Sequence, residues 1–305
     1  MTQKEFNQKA MDSIKDYLPE EYQSHIVEIQ EVNRAGRRYD GLVVRSSSGG
    51  TQASPILNLN NAFRKYEEGA TFEDIMKELA DIRMSANIDQ TGFTKEMIAD
   101  FEQAKSKLVM RLINTEANSD YLRNKRKASI EMEDLSIIFA VRIVHDDGVG
   151  DAVVTDDLLD CWGVSLEEVY EQAIQNCESA QVKFTNIVSE LFNLPKCDIE
   201  DIELDAYPVP LFILTNPQST KGAGAVLNPF VMKRIVDKFG EDLRVIPSST
   251  EEVMILPNDD EGPSIEELAA MVASINETNV APEDRLSDNI YKYDMDTNRL
   301  VLANK

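Results

Sequence analysis

The sequence has few of the residues on which covalent or metal chemistry usually depends. Its 305 residues include three cysteines and two histidines. Cys161, Cys177 and Cys197 form no CxxC pair, so neither a disulfide framework nor a zinc site is predicted. The two histidines, His25 and His145, fall in different predicted elements, which argues against a Ser-His-Asp arrangement. We therefore expect no cofactor and no metal centre.

Long apolar runs are also missing. No stretch approaches the ~18 apolar residues that a membrane-spanning helix needs, and residues 1–14 lack the basic-then-apolar layout of a secretion signal. Basic residues are scarce, since 31 Lys and Arg face 55 Asp and Glu for a net charge of −24. This charge opposes binding to nucleic-acid phosphates and to anionic lipids. We expect a cytoplasmic protein that binds neither nucleic acid nor a membrane.

The acidic excess is concentrated in the later part of the chain. Residues 1–130 carry 19 basic and 20 acidic side chains, whereas residues 131–305 carry 12 and 35. The most basic segment of the chain lies just before the acidic part and consists of Arg123, Lys125, Arg126 and Lys127. Two interpretations stay open, a solvated linker or a basic patch that docks on the acidic half of this chain or of a neighbouring copy.

This change of composition predicts two domains. The first is an N-terminal α+β domain of residues 1–127, and the second is an acidic C-terminal α+β domain of residues 128–305. Apolar residues from Met97 to Ile113 recur at helical spacing, which predicts a long helix over residues 94–117 in the first domain.

The remaining pattern predicts mixed, mainly antiparallel sheets flanked by helices and built from two or three hairpin-plus-helix units. Residues 26–44 are typical of a hairpin, and Thr71, Ser165 and Ser264 each precede a capped amphipathic helix. The last third reads strand, helix, strand, strand, helix and strand, with Ala223–Leu227 as an additional paired strand.

Two clusters of polar residues are candidate sites. His145, Asp146, Asp147 and Asp151 offer metal-compatible side chains, but such a group is also typical of an exposed turn. A second cluster gathers glycines and polar residues at predicted strand ends, where ligand pockets commonly form. Its members are Asn216, Gly222, Gly224, Ser248, Ser249, Glu251 and Glu252. The alternative for this cluster is a set of turns whose side chains bond the local backbone.

Several segments in order along the chain resemble an uncharacterised bacterial domain-of-unknown-function family, numbered five-six-eight-eight. The matching stretches are residues 54–69, 111–116, 133–138, 162–168, 214–216, 222–225, 243–253 and 280–288. The resemblance implies no particular reaction, cofactor or partner. It does imply a histidine at the position of Glu251, so that any chemistry of such a histidine would be absent from this chain.

Three functional hypotheses follow. The first is a non-catalytic interaction or regulatory protein that presents its acidic C-terminal surface to a basic protein partner. The second is an enzyme or small-ligand binder with a site near Ser248, Ser249 and Glu251. The third is a structural adaptor or homo-oligomer in which the basic patch meets an acidic face of another copy.

Overall fold

The protein folds as two compact units, Met1–Glu96 and Met97–Lys305, which we call the first and the second unit. The computed structural model describes residues 1–34, 37–46, 55–85, 95–123, 126–145, 148–193, 198–203, 206–239, 243–257 and 262–303. Each unit contains helices and antiparallel sheet, so the α+β prediction is confirmed. Over the described ranges, no helix combines the length and apolarity that crossing a membrane requires.

The first unit places helices against a small antiparallel sheet. Its elements are α1 (Gln3–Ser13), β1 (Ile26–Arg34), β2 (Arg37–Arg45), β3 (Ile56–Asn58), α2 (Leu59–Glu67) and α3 (Phe72–Ser85). The strands lie in the order β1-β2-β3, and β1 and β2 form the predicted hairpin. Thr2 and Glu5 form a capping box at the start of α1, which satisfies amide groups that lack a partner within the helix.

Phe6 belongs to the hydrophobic core of the first unit, and three partly buried aromatic rings pack against it. The Phe6 side chain is fully buried on α1. Its ring centroid lies 5.5 Å from that of Phe63, 5.7 Å from that of Tyr66 and 5.5 Å from that of Phe72. These contacts join α1 to α2 and to the start of α3.

Residues 95–193 begin with two short helices and contain the first sheet of the second unit, together with β8, which belongs to its second sheet. The elements are α4 (Lys95–Ala99), α5 (Phe101–Ala104), β4 (Leu108–Asn114), α6 (Ser119–Arg123), β5 (Ser129–Met132), β6 (Leu135–His145), β7 (Gly148–Val153), α7 (Asp156–Trp162), α8 (Leu166–Cys177), β8 (Lys183–Asn186) and α9 (Ile187–Leu191). The strands β4, β5 and β7 each pair antiparallel with β6.

The predicted helix over residues 94–117 was wrong. Within the described residues from 95 onward, α4 and α5 are short, and Leu108–Asn114 form the strand β4. This strand pairs with β6 over its whole length, and both faces of its central part are buried. The periodicity of a short run of buried apolar residues does not distinguish a strand from a helix. Pairing with β6 determines that residues 108–114 form a strand.

The division between the compact units also differs from the predicted domain boundary. It falls after Glu96 rather than after Lys127. The strand β4 lies between these two positions, and its sheet partner β6 comes later in the chain.

The second sheet of the second unit has six antiparallel strands in the described residues, in the order β13-β12-β10-β11-β9-β8. The elements that follow α9 are β9 (Phe212–Thr215), α10 (Pro229–Phe239), β10 (Leu243–Ile246), β11 (Val253–Pro257), α11 (Ile265–Asn279), β12 (Tyr291–Asp294) and β13 (Arg299–Leu302). The predicted alternation of strands and helices is present. Ala223–Leu227, however, form a 3-10 helix and not a paired strand.

Trp162, the one tryptophan of the sequence, ends α7 inside the second unit. Its indole Nε1 donates a hydrogen bond of 2.8 Å to the carbonyl oxygen of Ile98. Its ring centroid lies 5.3 Å from that of Phe101. These contacts fix α7 against the residues of α4 and α5.

We predict that Phe6→Ala destabilises the first unit by about 3–5 kcal/mol, because the substitution leaves a cavity among three aromatic rings. Chemical denaturation followed by circular dichroism measures the change. The control is Phe230→Ala, since the Phe230 side chain is 44% exposed. Equal destabilisation by the two substitutions would contradict the assignment of Phe6 to the core.

Candidate functional site

The structure brings most of the predicted polar cluster together at one end of the second sheet. Asn216 follows the last residue of β9, and residues 248–252 connect β10 to β11. Because β9 and β11 pair antiparallel, with Leu214 opposite Val253, these two segments lie side by side. We call residues 215–222 and 248–252 the loop cluster.

Glu251 holds the two parts of the loop cluster together. Its carbonyl oxygen accepts a hydrogen bond of 2.7 Å from the Thr215 hydroxyl and one of 3.0 Å from the amide of Gly222. Its carboxylate Oε2 accepts a hydrogen bond of 2.9 Å from the amide of Lys221. The side chain is therefore used to position backbone, which is a structural role.

Asn216 organises the loop that follows β9. The side chain is buried, and its Oδ1 accepts hydrogen bonds from the amides of Gln218 at 3.1 Å and Thr220 at 3.3 Å. Its Nδ2 donates to the carbonyl oxygen of Thr220 at 2.7 Å. The Asn216 carboxamide thus supplies hydrogen bonds to loop backbone groups that lack partners in a helix or sheet. In this loop Ser219 and Lys221 have positive φ angles of 49° and 50°.

The two glycines allow close backbone packing. A Cβ atom on Gly222 would lie 2.7 Å from the amide nitrogen of Asn216 and 2.8 Å from the carbonyl oxygen of Glu251, and it would also meet the Thr215 hydroxyl. A Cβ atom on Gly224 would collide with the backbone of Met110 in β4. Glycine is required at both positions by protein contacts.

Ser248 and Ser249 pair with the segment before β12. The carbonyl oxygen of Ser248 accepts a hydrogen bond of 3.0 Å from the amide of Leu286, and Ser249 forms an antiparallel bridge with Arg285. The Ser249 hydroxyl accepts a hydrogen bond of 3.2 Å from the amide of Glu251. These contacts agree with the turn interpretation of the segment.

Glu252 lies half-buried among other charges. Burial raises the pKa of its carboxyl, the nearby ammonium of Lys183 lowers it, and the carboxylates of Glu251 and Glu190 raise it, for a net increase. The Lys183 ammonium itself pairs with Glu190 at 2.5 Å. Glu252 therefore lies near one lysine and two other acids, and burial is the largest cause of its raised pKa.

The basic patch is attached to its own unit. Arg123 pairs with Asp120 at 2.9 Å, and the ammonium of Lys127 lies 4.9 Å from the centroid of the Tyr121 ring. The carbonyl oxygen of Arg126 accepts a hydrogen bond of 2.9 Å from the amide of Asp156. Lys125 lies outside the described residues. The backbone of the patch therefore docks at the start of α7.

Of the four residues considered as metal ligands, His145 ends β6, Asp151 lies on β7, and Asp146 and Asp147 lie outside the described residues. Asp151 contacts Arg111, and it lies 3.4 Å from Arg142 in a buried ion network. Burial lowers the pKa of Arg142. Within the described ranges, no group of three or more His, Cys, Asp or Glu side chains is arranged to hold a metal ion.

Asp134 forms a polar junction that the sequence did not predict. Its Oδ2 accepts hydrogen bonds from the Ser287 hydroxyl at 2.7 Å and from Asn289 Nδ2 at 3.2 Å. Its Oδ1 accepts from the hydroxyl of Tyr291, whose side chain is fully buried. The turn between β5 and β6 is thereby tied to the start of β12.

The helices α7 and α8 carry a concentrated negative charge. They contribute Asp156, Asp157, Asp160, Glu167, Glu168, Glu171 and Glu178, the last at the C-cap of α8. Residues 143–182 contain no lysine or arginine. We call these seven side chains the acidic surface. All but Asp156 are exposed.

The first unit contains a cavity that the sequence analysis missed. It has a volume of about 750 Å³, and its lining includes Asn7, Asp40 and Asn60. One signal was present in the sequence, because a polar residue, Asn7, follows Phe6 directly and precedes Ala10 by three residues. The structure buries this side chain to 5% exposure. The other lining residues come from distant segments, and local patterns do not show that they meet.

Residues 3–295 match the family of unknown function DUF5688. The chain belongs to this family. No curated protein and no solved structure matches the chain. The family resemblance is therefore confirmed, and the match to DUF5688 covers nearly all of both units. In this member of DUF5688, Glu251 occupies the position where the resemblance implies histidine, and its carboxylate binds the amide of Lys221.

We predict that Glu251→Ala lowers the free energy of unfolding by about 1–2 kcal/mol, because the Lys221 amide loses a charged acceptor. Glu251→Gln keeps an acceptor oxygen and should lose less. Chemical denaturation measures both variants, with exposed Glu131→Ala as the control. A Glu251→Ala variant as stable as the wild type would remove the structural role of this carboxylate.

We predict that Glu252→Gln stabilises the protein at pH 7. The pKa of Glu252 is higher in the folded state than its value of 4.5 in an unfolded chain. The free energy of unfolding of the wild type therefore falls as the pH rises from 4.5 through the raised pKa. The difference between variant and wild type should disappear as the pH falls below 4.5. Unfolding of both variants and the wild type, measured from pH 4 to 8, tests this prediction. It would be contradicted if the control Glu131→Gln changed the pH dependence of stability in the same way as Glu252→Gln.

Proposed function

We propose that the protein is a non-catalytic interaction protein whose acidic surface on α7 and α8 binds a basic protein partner. The observation that supports this proposal is the concentration of seven carboxylates on two helices, in a stretch without lysine or arginine. Opposite charge on a partner accelerates association and selects against acidic or phosphate-bearing competitors.

Helix stability accounts for part of this charge. Asp156, Asp157, Glu167 and Glu168 lie in the first turns of their helices, where acids interact favourably with the helix dipole. Glu168 also completes the capping box of Ser165, and these hydrogen bonds lower its pKa. A structural reason therefore exists for four of the seven side chains.

The other three carboxylates carry the argument for binding. Asp160 and Glu178 lie near helix C-termini, where negative charge interacts unfavourably with the dipole. Glu171 follows Glu167 by one helical turn, and like charges at this spacing repel each other by about 0.2–0.5 kcal/mol. These three side chains destabilise their helices, and a bound cationic partner would offset this unfavourable charge.

The loop cluster gives less support to a ligand site. Asn216, Glu251 and the two glycines make contacts within the protein that account for their identities. The hypothesis of an enzyme or ligand binder near Ser248, Ser249 and Glu251 thus remains an alternative to our proposal. The adaptor or homo-oligomer hypothesis is a second alternative, and it receives less support because the backbone of the basic patch already docks at the start of α7 in its own unit.

The proposal is tested with a triple variant, Asp160→Asn, Glu171→Gln and Glu178→Gln. Capture from an extract of the source cells should recover a basic partner with the wild-type protein at ~0.1 M salt and lose it towards ~1 M, where the Debye length falls from ~10 Å to ~3 Å. The triple variant should bind the recovered, purified partner roughly tenfold more weakly, because each exposed ion pair contributes about 0.2–1 kcal/mol.

The matched control removes the same amount of charge elsewhere in the second unit, by Glu131→Gln, Glu203→Gln and Asp296→Asn, all at exposed positions. Weakening by both triple variants alike, or binding that does not respond to salt, would count against the acidic surface. Sedimentation of the wild-type chain alone at both salt concentrations separates partner binding from pairing of copies through the basic patch.

A further inference from the structure

The cavity of the first unit is built from four elements of regular structure. Asn7 and Gln8 lie on α1, Glu31 on β1, Asp40 on β2 and Asn60 on α2. Sites that are built on helices and strands keep their geometry better than sites on loops. Its volume of about 750 Å³ lies within the range of ~300–1,000 Å³ that is typical of small-ligand pockets.

Hydrogen bonds fix the polar groups of the cavity before any ligand binds. Asn7 Nδ2 donates to Asp40 Oδ2 at 2.7 Å. Asn60 Oδ1 accepts from the amide of Asp40 at 3.1 Å and from Gln3 Nε2 at 2.9 Å. Gln3, Asn7 and Asn60 are therefore connected through Asp40, whose carboxylate and backbone amide both take part, and the protein sets the geometry of this network.

One buried acceptor of this network lacks a donor. Among the described residues, Asn7 Oδ1 has no hydrogen-bond partner, although the side chain is only 5% exposed. A buried polar atom without a partner costs about 1–3 kcal/mol. Asn7 lines the cavity, although its Oδ1 is itself covered, so a rotation of the carboxamide would be needed before a ligand hydroxyl could supply the missing donor.

The composition of the lining indicates the class of ligand. Four side-chain carboxamides line the cavity, on Gln3, Asn7, Gln8 and Asn60. Each carboxamide donates and accepts hydrogen bonds, as a hydroxyl group does. Most small-ligand pockets are lined mainly by apolar side chains, so this polar lining suits a polar ligand.

Formal charge in the cavity is balanced. Lys4 and Arg38 contribute two positive charges, and Glu31 and Asp40 contribute two negative charges. Arg38 Nε pairs with Glu31 at 2.8 Å, with both side chains largely exposed. Neither a strong anion nor a strong cation is favoured by this balance.

We propose that this cavity binds a neutral polyhydroxylated ligand, a mono- or disaccharide, with Asn7, Asp40 and Asn60 as the recognising side chains. The site lies wholly within the first unit, and the inference is independent of the acidic surface in the second unit. The Asp40 carboxylate would accept hydrogen bonds from ligand hydroxyls, and the side-chain oxygens of Gln3 and Gln8 would add acceptors, since their amide nitrogens already donate to Asn60 and Asp12.

The test is titration of the full-length, isotope-labelled protein with D-glucose, D-mannose, N-acetyl-D-glucosamine and cellobiose, followed by NMR. At least one sugar should shift the amide signals of Asn7, Asp40 and Asn60 in a saturable way. Asp40→Asn should weaken that binding at least tenfold, which corresponds to the loss of ~1.4 kcal/mol and is within the contribution of a hydrogen bond to a charged group.

Asp16→Asn is the matched control, because Asp16 is exposed in the same unit and does not line the cavity. Gln8→Ala provides a second variant at an exposed position and should weaken binding several-fold without loss of folding, as judged by the amide spectrum. Absence of saturable shifts with every sugar overturns the proposal. Saturable binding of the polyamine spermidine in place of the sugars also overturns it, because the cavity would then select a cation.

Discussion

The second unit depends on one carboxylate, Asp134, which lies in the turn between β5 and β6. Hydroxyl, amide and phenol donors from residues 287–291 converge on its two oxygens. In the same region, Asn114 Nδ2 donates to the carbonyl oxygen of Leu286 at 2.7 Å. A carboxylate with several donors is stable in a partly buried position, whereas the same group without donors would be expensive to bury. The two sheets of the unit are thus joined through polar contacts as well as through apolar packing.

The loop cluster and the cavity differ in how completely their polar groups are used. In the loop cluster, side-chain oxygens of Asn216 and Glu251 accept hydrogen bonds from backbone amides of the protein. In the cavity, Asn7 uses its amide nitrogen on Asp40 and leaves its oxygen without a partner in the described residues. A polar cluster in a sequence therefore does not distinguish a scaffold from a binding site, and the hydrogen bonds of each atom are needed to separate them.

Local signals predicted much of the fold, and long-range contacts explain the failures. The hairpin of β1 and β2 and the capped helices after Thr71, Ser165 and Ser264 depend on nearby residues, and these predictions are confirmed. The strand β4 was missed because its identity depends on pairing with β6. The 3-10 helix at Ala223–Leu227 was missed because Gly224 must pack on the backbone of Met110. The cavity was missed for the same reason, since Asn7, Asp40 and Asn60 are far apart in the sequence.

Trp162 gives the second unit a built-in optical label. Its indole is hydrogen-bonded to Ile98 and packed beside Phe101, so opening of this part of the second unit exposes the ring to water. The first unit contains tyrosine and phenylalanine but no tryptophan. Emission excited selectively at the indole therefore reports on residues 97–305, whereas far-ultraviolet dichroism sums over both units. Any separation between the two signals during denaturation would reveal that the units melt independently.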